Sequence, residues 1–581
     1  MPTIEKYAED GSKQPRDEFF FSFCIPSTCS HEDLQKSLRQ IVTAFGDNIP
    51  FNLQVNVDER NCQVEREISF TRADTIYMTV MGTIISFGIF CTLYHLFTRL
   101  EGLQQFKFSE NVHRVVKEFS FSHTIKKLAS ESKNEDGLES LNGMKVVSMF
   151  LIIMGHRMMF YISSPLANPV YVEDTYRHVG WMVLLNGPVL VDSFFTISGF
   201  LASYMMLSII HKRRRMVNLG TVFLHRLLRL TPAYAVVLGF YCTIFIQLGD
   251  GPFWDERVGV EQERCLESWW TNILYINNYV KADKICMFQS WYLTCDTHYF
   301  LFAPALVYLL WKSPKLGLLS MGFLIGISII LPCVIIFINQ EEPFLLLYMR
   351  FLRDPIVNST FKNIYIPSHM RACAYLIGIL TGYMKFHMRL SNAKINSKIN
   401  YLGWIVSLSS SVMVFCVSYI FYVPTEDKDY LFAGVFGSLH HVIWSLFSAW
   451  VILSVSEGYG AWIAPLFNWR PLVLLGRITY PAFLCHGAIQ LYSAATTRAP
   501  VHTGLFVVFN FAASDIVWAY IAGFILSLVI EAPIRAIEKL IMGNHEKISE
   551  ERPIKNLEFG DKKLGVDSFS IRIPKVTKLH K

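Results

Sequence analysis

The chain has 581 residues, of which 52% are hydrophobic and only 17% are charged. Soluble domains carry roughly 25% charged residues, so this composition indicates a protein of apolar surroundings. Several stretches run for about 20 residues with almost no charge, which is the length that a helix needs to cross a hydrocarbon core of roughly 30 Å. The composition excludes disordered chains, collagens and small disulfide scaffolds. It predicts an all-α fold, a polytopic membrane helix bundle.

The net charge of +6 does not indicate a nucleic-acid partner, because of where the basic residues lie. They form short clusters beside the apolar stretches, for example at residues 312–315 and 385–398. Such clusters set the orientation of membrane segments and contact anionic lipid. We therefore expect membrane lipid, and no nucleic acid, among the partners. The sequence indicates no particular oligomeric state.

The alternation of polar and apolar stretches divides the chain into five parts. In chain order they are a lumenal or extracellular cysteine-containing segment at 1–74, a first transmembrane helix at 75–98, a cytoplasmic linker at 99–140, a transmembrane domain at 141–540 and a cytoplasmic tail at 541–581. The first part holds Cys24, Cys29 and Cys62. We expect it to be a small disulfide-containing segment, the end of a larger ectodomain.

About eleven transmembrane helices are expected from the apolar stretches. They lie near residues 75–98, 144–162, 181–210, 221–248, 296–311, 317–338, 371–387, 401–423, 431–455, 471–495 and 505–530.

Lys and Arg are concentrated in alternate connections between these helices, which should therefore be cytoplasmic. The other connections should face the lumen or the exterior. The sequon at Asn358 lies in one of them, and N-glycosylation occurs on that side. Six of the twelve cysteines also lie there, where disulfides persist; among these we expect Cys265 to pair with Cys286. The protein should reside in the plasma membrane or the endoplasmic reticulum.

Ionisable residues within apolar spans are costly and are usually functional or paired. Lys145 and His156 are eleven positions apart on one predicted helix, which leaves about 20° between them and roughly 16 Å of rise. Lys145 should lie at the cytoplasmic mouth and His156 beyond the midplane. This arrangement suits a cosubstrate whose anionic end stays at the surface, with His156 as a proton acceptor. A lysine anchor with a structural histidine is the alternative.

Four further polar positions fall in or beside predicted spans. Asp192 is an intramembrane acid that either serves a site or pairs with a buried cation. Arg226 and Arg229 share a helix face at a cytoplasmic end, where paired guanidinium groups suit phosphate and where positive-inside anchoring requires the same residues. Asp296 lies at a lumenal boundary and should not share a face with His298. No spacing of cysteine and histidine supplies the ligands of a metal site.

Six motifs follow one another along the chain. They are Phe23-Cys-Ile-Pro-Ser-Thr-Cys29, Leu141-Asn-Gly-Met-Lys145 with Gly155-His156, Val191-Asp-Ser-Phe-Phe-Thr-Ile-Ser-Gly-Phe200, Arg226-Leu-Leu-Arg229-Leu-Thr-Pro-Ala-Tyr234, Trp269 to Asn278 with Cys286 and Trp291-Tyr-Leu, and Ile478-Thr-Tyr480 to His486. In this order they resemble the acyltransferase type-3 superfamily, and more narrowly its nose resistant to fluoxetine branch. Lys145 stands where that superfamily has an arginine.

The resemblance implies a membrane acyltransferase that transfers an acyl group from a cytoplasmic donor, with acyl-CoA as the expected cosubstrate, to a small, lipidic or lumenal acceptor. It implies that His156 is the general base. Asp192, Asp296 and His486 would be supporting catalytic residues, and Lys145, Arg226 and Arg229 would bind the donor. The alternative is a non-enzymatic lipid or hydrophobic-drug transporter or binding protein, in which the same polar residues gate a pathway.

The orientation has a direct test. If residues 339–370 are lumenal, protein made in the secretory pathway should carry a glycan on Asn358. Digestion with an N-glycosidase should then increase the electrophoretic mobility of the wild type and leave the Asn358→Gln variant unchanged. A reporter that places residues 339–370 in the cytoplasm would reverse the orientation of the whole chain.

Overall fold

The computed structural model describes residues 10–14, 16, 21–46, 53–62, 68–99, 109–130, 137–213, 218–423 and 428–538. Most of them are helical, and they contain no strand beyond a single bridge between Leu166 and Val501. The predicted all-α class is confirmed. The chain divides into two compact units, 1–536 and 537–581, and the fold described below is that of the first. The predicted tail at 541–581 lies outside the described residues.

Sixteen α-helices of seven or more residues occur in the described ranges. They are α1 (His31–Gly46), α2 (Arg72–Phe97), α3 (Glu110–Phe119), α4 (Phe121–Ala129), α5 (Ser140–Ile162), α6 (Pro169–Thr175), α7 (Val191–Arg213), α8 (Leu219–Cys242), α9 (Val260–Ile273), α10 (Trp291–Lys312), α11 (Pro314–Asn339), α12 (Ala372–Ser391), α13 (Ser397–Tyr422), α14 (Tyr430–Ser456), α15 (Thr479–Ala495) and α16 (Leu505–Leu526). Shorter α-helices are Met182–Leu185, Met349–Arg353, Ala464–Phe467 and Arg470–Leu475.

Several single turns of other helix types connect these elements. The 3₁₀ turns are Glu59–Asn61, Val179–Trp181, Gly187–Leu190, Ile244–Gln247, Ala282–Lys284, Phe288–Ser290, Pro355–Val357 and Ser368–Met370, and the π turns are Asp255–Gly259, Phe361–Tyr365 and Ser527–Glu531.

Nine of the described helices are long and apolar enough to cross a membrane, so this is an integral membrane protein. They are α2, α5, α7, α8, α10, α11, α13, α14 and α16. The predicted number of eleven is not confirmed. The two other predicted spans, 371–387 and 471–495, coincide with α12, which has 20 residues, and α15, which has 17.

The span predicted at 181–210 is not one helix. It begins as three short turns that end at Leu190, and the continuous helix α7 starts only at Val191. Pro188 explains the break, because proline lacks the N–H that an inner helical turn requires. The carbonyl oxygen of Pro188 instead accepts a hydrogen bond of 3.1 Å from the Arg371 guanidinium.

The first membrane helix, α2, is largely exposed along its apolar surface. Its start is fixed by a capping box, in which the Thr71 hydroxyl accepts from the Asp74 backbone N–H and the Asp74 carboxylate accepts from the Thr71 N–H. The part predicted as a cytoplasmic linker at 99–140 includes α3 and α4, which pack on α2. The His95 ring lies 3.0 Å from the Ser120 hydroxyl.

The centre of the bundle is the close pair α7 and α12. A Cβ at Gly199 would lie 2.2 Å from the Tyr375 carbonyl oxygen, and one at Gly378 would lie 2.3 Å from that of Thr196. Glycines at such crossings let two helix backbones approach without steric overlap. This contact brings the start of α12, with Arg371 as its cap residue, beside Asp192 on α7.

Cys265 and Cys286 form a disulfide that joins α9 to the segment before α10, the pairing that the sequence predicts. Asn272 of α9 donates to the Cys286 carbonyl oxygen (2.8 Å), and the Glu261 carboxylate accepts from the Met287 N–H (2.7 Å). Burial raises the pKa of the Glu261 carboxyl above its ordinary value. The segment before α10 therefore enters the bundle instead of crossing its surface.

The predicted disulfide within the N-terminal segment is not confirmed. Cys24, Cys29 and Cys62 are free thiols in the structure. Three cysteines cannot pair completely among themselves.

Candidate active site

Two histidines from different helices meet inside the bundle. His156 lies in the second half of α5 and His486 lies on α15, and their atoms Nδ1 and Nε2, respectively, are 3.0 Å apart. The two rings are nearly parallel, with centroids 5.2 Å apart. His486 is fully buried, whereas His156 is half-buried and has Phe288 edge-on to its ring. The structure thus brings together two predicted site residues that are 330 positions apart.

The heavy-atom contacts around this pair indicate which nitrogen carries a proton. The Nδ1 of His486 lies 2.5 Å from the Phe483 carbonyl oxygen, which can only accept, so Nδ1 donates. In a neutral ring the Nε2 of His486 is then an acceptor, and the Nδ1 of His156 donates to it. This assignment leaves the Nε2 of His156 unprotonated, with a lone pair that can take a proton.

Three cations lie on two helices, α5 and α8. Arg226 of α8 forms an ion pair with Asp296 of α10, and both side chains are mostly buried. Lys145 of α5 interacts electrostatically with Arg229 and with Asp296. Within the described residues, neither Lys145 nor Arg229 forms a salt bridge or a hydrogen bond through its side chain. The predicted pair of guanidinium groups is therefore split: Arg226 forms a salt bridge, whereas Arg229 interacts with Glu531 only at longer range.

The meeting of Arg226 with Asp296 corrects a prediction about depth. From the sequence, Arg226 belongs to a cytoplasmic end and Asp296 to a lumenal boundary, yet the two side chains are in contact. The cause is the buried segment before α10, which lets this helix start at Trp291 inside the bundle. A guanidinium in such surroundings needs a counter-charge, which the Asp296 carboxylate supplies. Asp296 and His298 do point apart, since His298 contacts Ser368.

Aromatic side chains connect the ion pair to the histidines. Tyr292, one turn before Asp296, interacts electrostatically with Asp296 and Arg226. Its ring centroid lies 5.6 Å from that of Phe483, which in turn lies 5.7 Å from that of His486. The cations and the histidine pair thus belong to one continuous site built from α5, α8, α10 and α15.

Asp192 lies in a separate cluster. Its carboxylate accepts from the Arg371 guanidinium at 3.0 Å and contacts the Nδ1 of His441 at 2.5 Å. The Arg371 guanidinium also lies over the rings of Trp291 and Tyr365. The structure therefore pairs this acid with a buried cation, the second of the two roles that its sequence position allows.

A third buried ion pair was missed by the sequence reasoning. Arg157, directly after His156, donates to both carboxylate oxygens of Asp515 on α16. Gln490, one turn after His486, donates to Asp515 as well. The signal was present, because Arg157 and Asp515 are charges inside predicted spans and such charges are usually paired or functional.

One group of potential metal ligands occurs among the described residues, formed by Glu261, Cys265 and Cys286. The disulfide occupies both of its sulfur atoms, and a metal requires free thiolates. These residues therefore do not fit a metal site while the disulfide is present.

A hydrogen-bonded pair of imidazoles, within an all-helical membrane bundle that also carries buried cations, fits a membrane-bound group transferase. A family model described as an acyltransferase domain matches residues 138–535. This match covers more than half of the chain, which therefore belongs to the acyltransferase type-3 family. Every residue of the histidine and cation sites lies within the matched range.

A nematode protein and a bacterial protein are among those similar to this chain. Nose resistant to fluoxetine protein 6 of Caenorhabditis elegans is 25% identical over 568 residues, which are 91% of this chain and 67% of that protein. O-acetyltransferase OatA of Staphylococcus aureus (strain NCTC 8325 / PS 47) is 21% identical over 328 residues, which are 54% of this chain and 48% of that protein. No solved structure matches the chain. The resemblance expected from the motifs is confirmed.

The ion pair between Asp192 and Arg371 should be essential for stability. Changing Asp192 to Asn leaves a fully buried guanidinium without its counter-charge, which should lower the free energy of unfolding by about 3–5 kcal/mol. Denaturant unfolding of the detergent-solubilised protein measures this. Asp174→Asn is the matched control, because Asp174 pairs with Arg177 at the exposed surface, where such pairs contribute little. Equal stability of the two variants would contradict the prediction.

Proposed function

We propose that this protein is a membrane acyltransferase that moves an acyl group from a cytoplasmic thioester donor, with acyl-CoA as the expected donor, to a hydroxyl group of a hydrophobic or lumenal acceptor. The observation that carries the proposal is the contact between Nδ1 of His156 and Nε2 of His486, from which we assign an unprotonated Nε2 to His156. The family match and the name of the bacterial relative support an acyltransferase. The donor and the acceptor are the parts proposed here.

In the proposed reaction the Nε2 of His156 removes the proton of the acceptor hydroxyl as its oxygen attacks the thioester carbonyl carbon. A new C–O bond forms, and the C–S bond of the donor breaks. The imidazolium of His156 then returns the proton to the departing thiolate, which leaves as a free thiol. No oxidant, reductant or metal is required for this balance.

His486 would act through His156. In the resting site its Nε2 accepts the Nδ1 proton of His156, and this bond keeps Nε2 of His156 directed at the substrate. When His156 becomes an imidazolium, the same bond spreads the positive charge to His486 and on to the Phe483 carbonyl oxygen. A carboxylate has this orienting role in the serine-hydrolase triad; here a neutral imidazole would have it.

Lys145 and Arg229 would bind the anionic end of the donor. Both lack salt-bridge partners among the described residues, and the nearby Arg226 Nε is a buried donor without a hydrogen-bond partner. Buried polar atoms are rarely left unsatisfied unless a ligand or water meets them. The phosphates of acyl-CoA would match the excess positive charge. Lys145 and His156 are roughly 16 Å apart along α5, a span suited to a long flexible donor arm.

The alternative function, a lipid or hydrophobic-drug transporter without catalysis, has no specific observation in its favour. A transporter fold is expected to show related halves, and none is apparent in the sequence. An enzyme accounts better for the directed hydrogen bonds of the histidine pair.

Turnover should depend on the imidazole of His156. In the His156→Ala variant kcat should fall by roughly 10²–10⁴, because general-base catalysis contributes that much. The assay follows thiol release from acyl-CoA by the purified protein in the presence of acceptor lipids. His95→Ala is the control, since His95 is a buried histidine on α2, outside the site, and should retain wild-type turnover. Equal activity of both variants would refute the role of His156.

Substitution of the free cations should act on binding instead. In the Lys145→Ala and Arg229→Ala variants KM for acyl-CoA should rise more than kcat falls, because a phosphate held far from the reacting carbonyl contributes similarly in the ground and transition states. Initial rates at varied acyl-CoA concentrations separate the two constants. Lys281→Ala is the control, because this lysine pairs with Glu267 at the exposed surface. A fall in kcat at constant KM would argue against donor binding by these cations.

A further inference from the structure

The residues next to the two histidines on α5 and α15 form hydrogen bonds to one carboxylate, that of Asp515. This carboxylate is 4% exposed and comes from α16, a helix that supplies neither histidine. Arg157 of α5 donates to both of its oxygens, the Nε bond being 2.5 Å long. The Gln490 amide of α15 donates to the same carboxylate at 2.9 Å. One acidic side chain thus holds the two helices that carry the histidines.

Each bond lies within one turn of a histidine. Arg157 follows His156 directly, and Gln490 follows His486 by four positions, so that it shares a helix face with His486. The Gln490 amide also donates to the Ile153 carbonyl oxygen at 2.8 Å, across the gap between α15 and α5. The bonds therefore fix both the separation and the axial register of α5 and α15 at the level of the active histidines.

The charges explain why an acid is used. Asp515 carries the negative charge that the buried Arg157 guanidinium requires, and the bidentate geometry of this pair restricts rotation as well as distance. A neutral side chain would leave Arg157 uncompensated. Ser493, one further turn along α15, accepts from Arg157 at 3.3 Å and adds a second link between the helices.

We infer that Asp515, with Arg157 and Gln490, is a positioning residue for the His156–His486 pair: it acts through the two helices to hold the Nδ1 of His156 against the Nε2 of His486. The inference rests on the proposed function for its catalytic consequence. Its structural content, the tautomer and register of the histidine pair, can be measured without any activity.

The kinetic test compares variants that separate positioning from stability. In Asp515→Asn and Gln490→Leu, kcat should fall about 10²-fold, the effect of a misplaced catalytic group, while KM for acyl-CoA should change less than about twofold, because the donor cations are elsewhere. The decisive variant is Arg157→Met/Asp515→Leu, which replaces the ion pair by apolar side chains. Such replacements usually preserve stability, but the leucine at position 515 cannot accept the hydrogen bond from Gln490. The double variant should therefore melt near the wild-type temperature and keep a kcat well below that of the wild type.

Recovery of turnover together with stability in the double variant would overturn the inference, since the ion pair would then serve stability alone. Asp74→Asn is the matched control, because Asp74 is equally buried, at 2% exposure, but lies at the start of α2. It should leave kcat, KM and the histidine pair unchanged.

The second measurement is solid-state NMR of protein labelled with ¹⁵N-histidine in lipid bilayers. Signals of His156 are assigned by their loss in His156→Ala. In the wild type they should show a protonated Nδ1 and an unprotonated Nε2, and in Asp515→Asn a mixture of tautomers. An unchanged tautomer in Asp515→Asn would reject the positioning role. If wild-type protein did not transfer acyl groups and the tautomer still depended on Asp515, the proposed function would fail while the inference stood.

Discussion

The bundle depends on one electrostatic constraint: a charge inside an apolar helix assembly needs a counter-charge at contact distance. Among the described residues, three of the pairs that satisfy it contain a buried arginine and join different helices. Arg157 with Asp515 links α5 to α16, Arg226 with Asp296 links α8 to α10, and Asp192 with Arg371 links α7 to the start of α12. Each pair costs desolvation energy when it forms, so it contributes specificity more than net stability. Removal of one partner is nevertheless destabilising, because it leaves a buried charge without compensation. The pairs select one arrangement among the many that apolar contacts alone would allow.

The candidate active site contains the ionisable residues that do not follow this rule of paired charges. Lys145 and Arg229 are cations without salt-bridge partners in the described part of the chain. The histidines meet the requirement differently, because a neutral imidazole needs no counter-charge. Under the proposed function the arrangement would separate two tasks: the cations would bind an anionic ligand, and a neutral imidazole would accept the proton, because a charged one is costly to maintain in an apolar site.

The directed hydrogen bonds of the histidine pair arise from backbone geometry. The Phe483 carbonyl oxygen lies three positions before His486 on the same helix, close enough to accept from its ring. That one acceptor sets the tautomer of His486 and, through it, the tautomer of His156. A carbonyl oxygen accepts hydrogen bonds at every pH. The donor-to-acceptor direction of these two hydrogen bonds therefore does not depend on the titration of the group that ends them.

Much of this protein was determined by the sequence alone. The backbone N–H and C=O groups of a long apolar stretch in lipid are satisfied within a helix. The all-α class and most helix positions therefore follow from the local pattern, and the family follows from the motifs. His156, Lys145 and His486 stand in motifs that can be recognised without coordinates.

The partners of the charges could not be read in this way, because ion pairs such as Arg157 with Asp515 join residues 358 positions apart. Only the tertiary structure decided that Arg226 meets Asp296 and that Asp192 pairs with Arg371 instead of joining the histidines. The physical reason is that periodicity fixes which face of a helix a residue occupies, whereas the neighbour of that face is chosen by packing between helices, as at Gly199 and Gly378, where the absence of a side chain lets α7 and α12 approach.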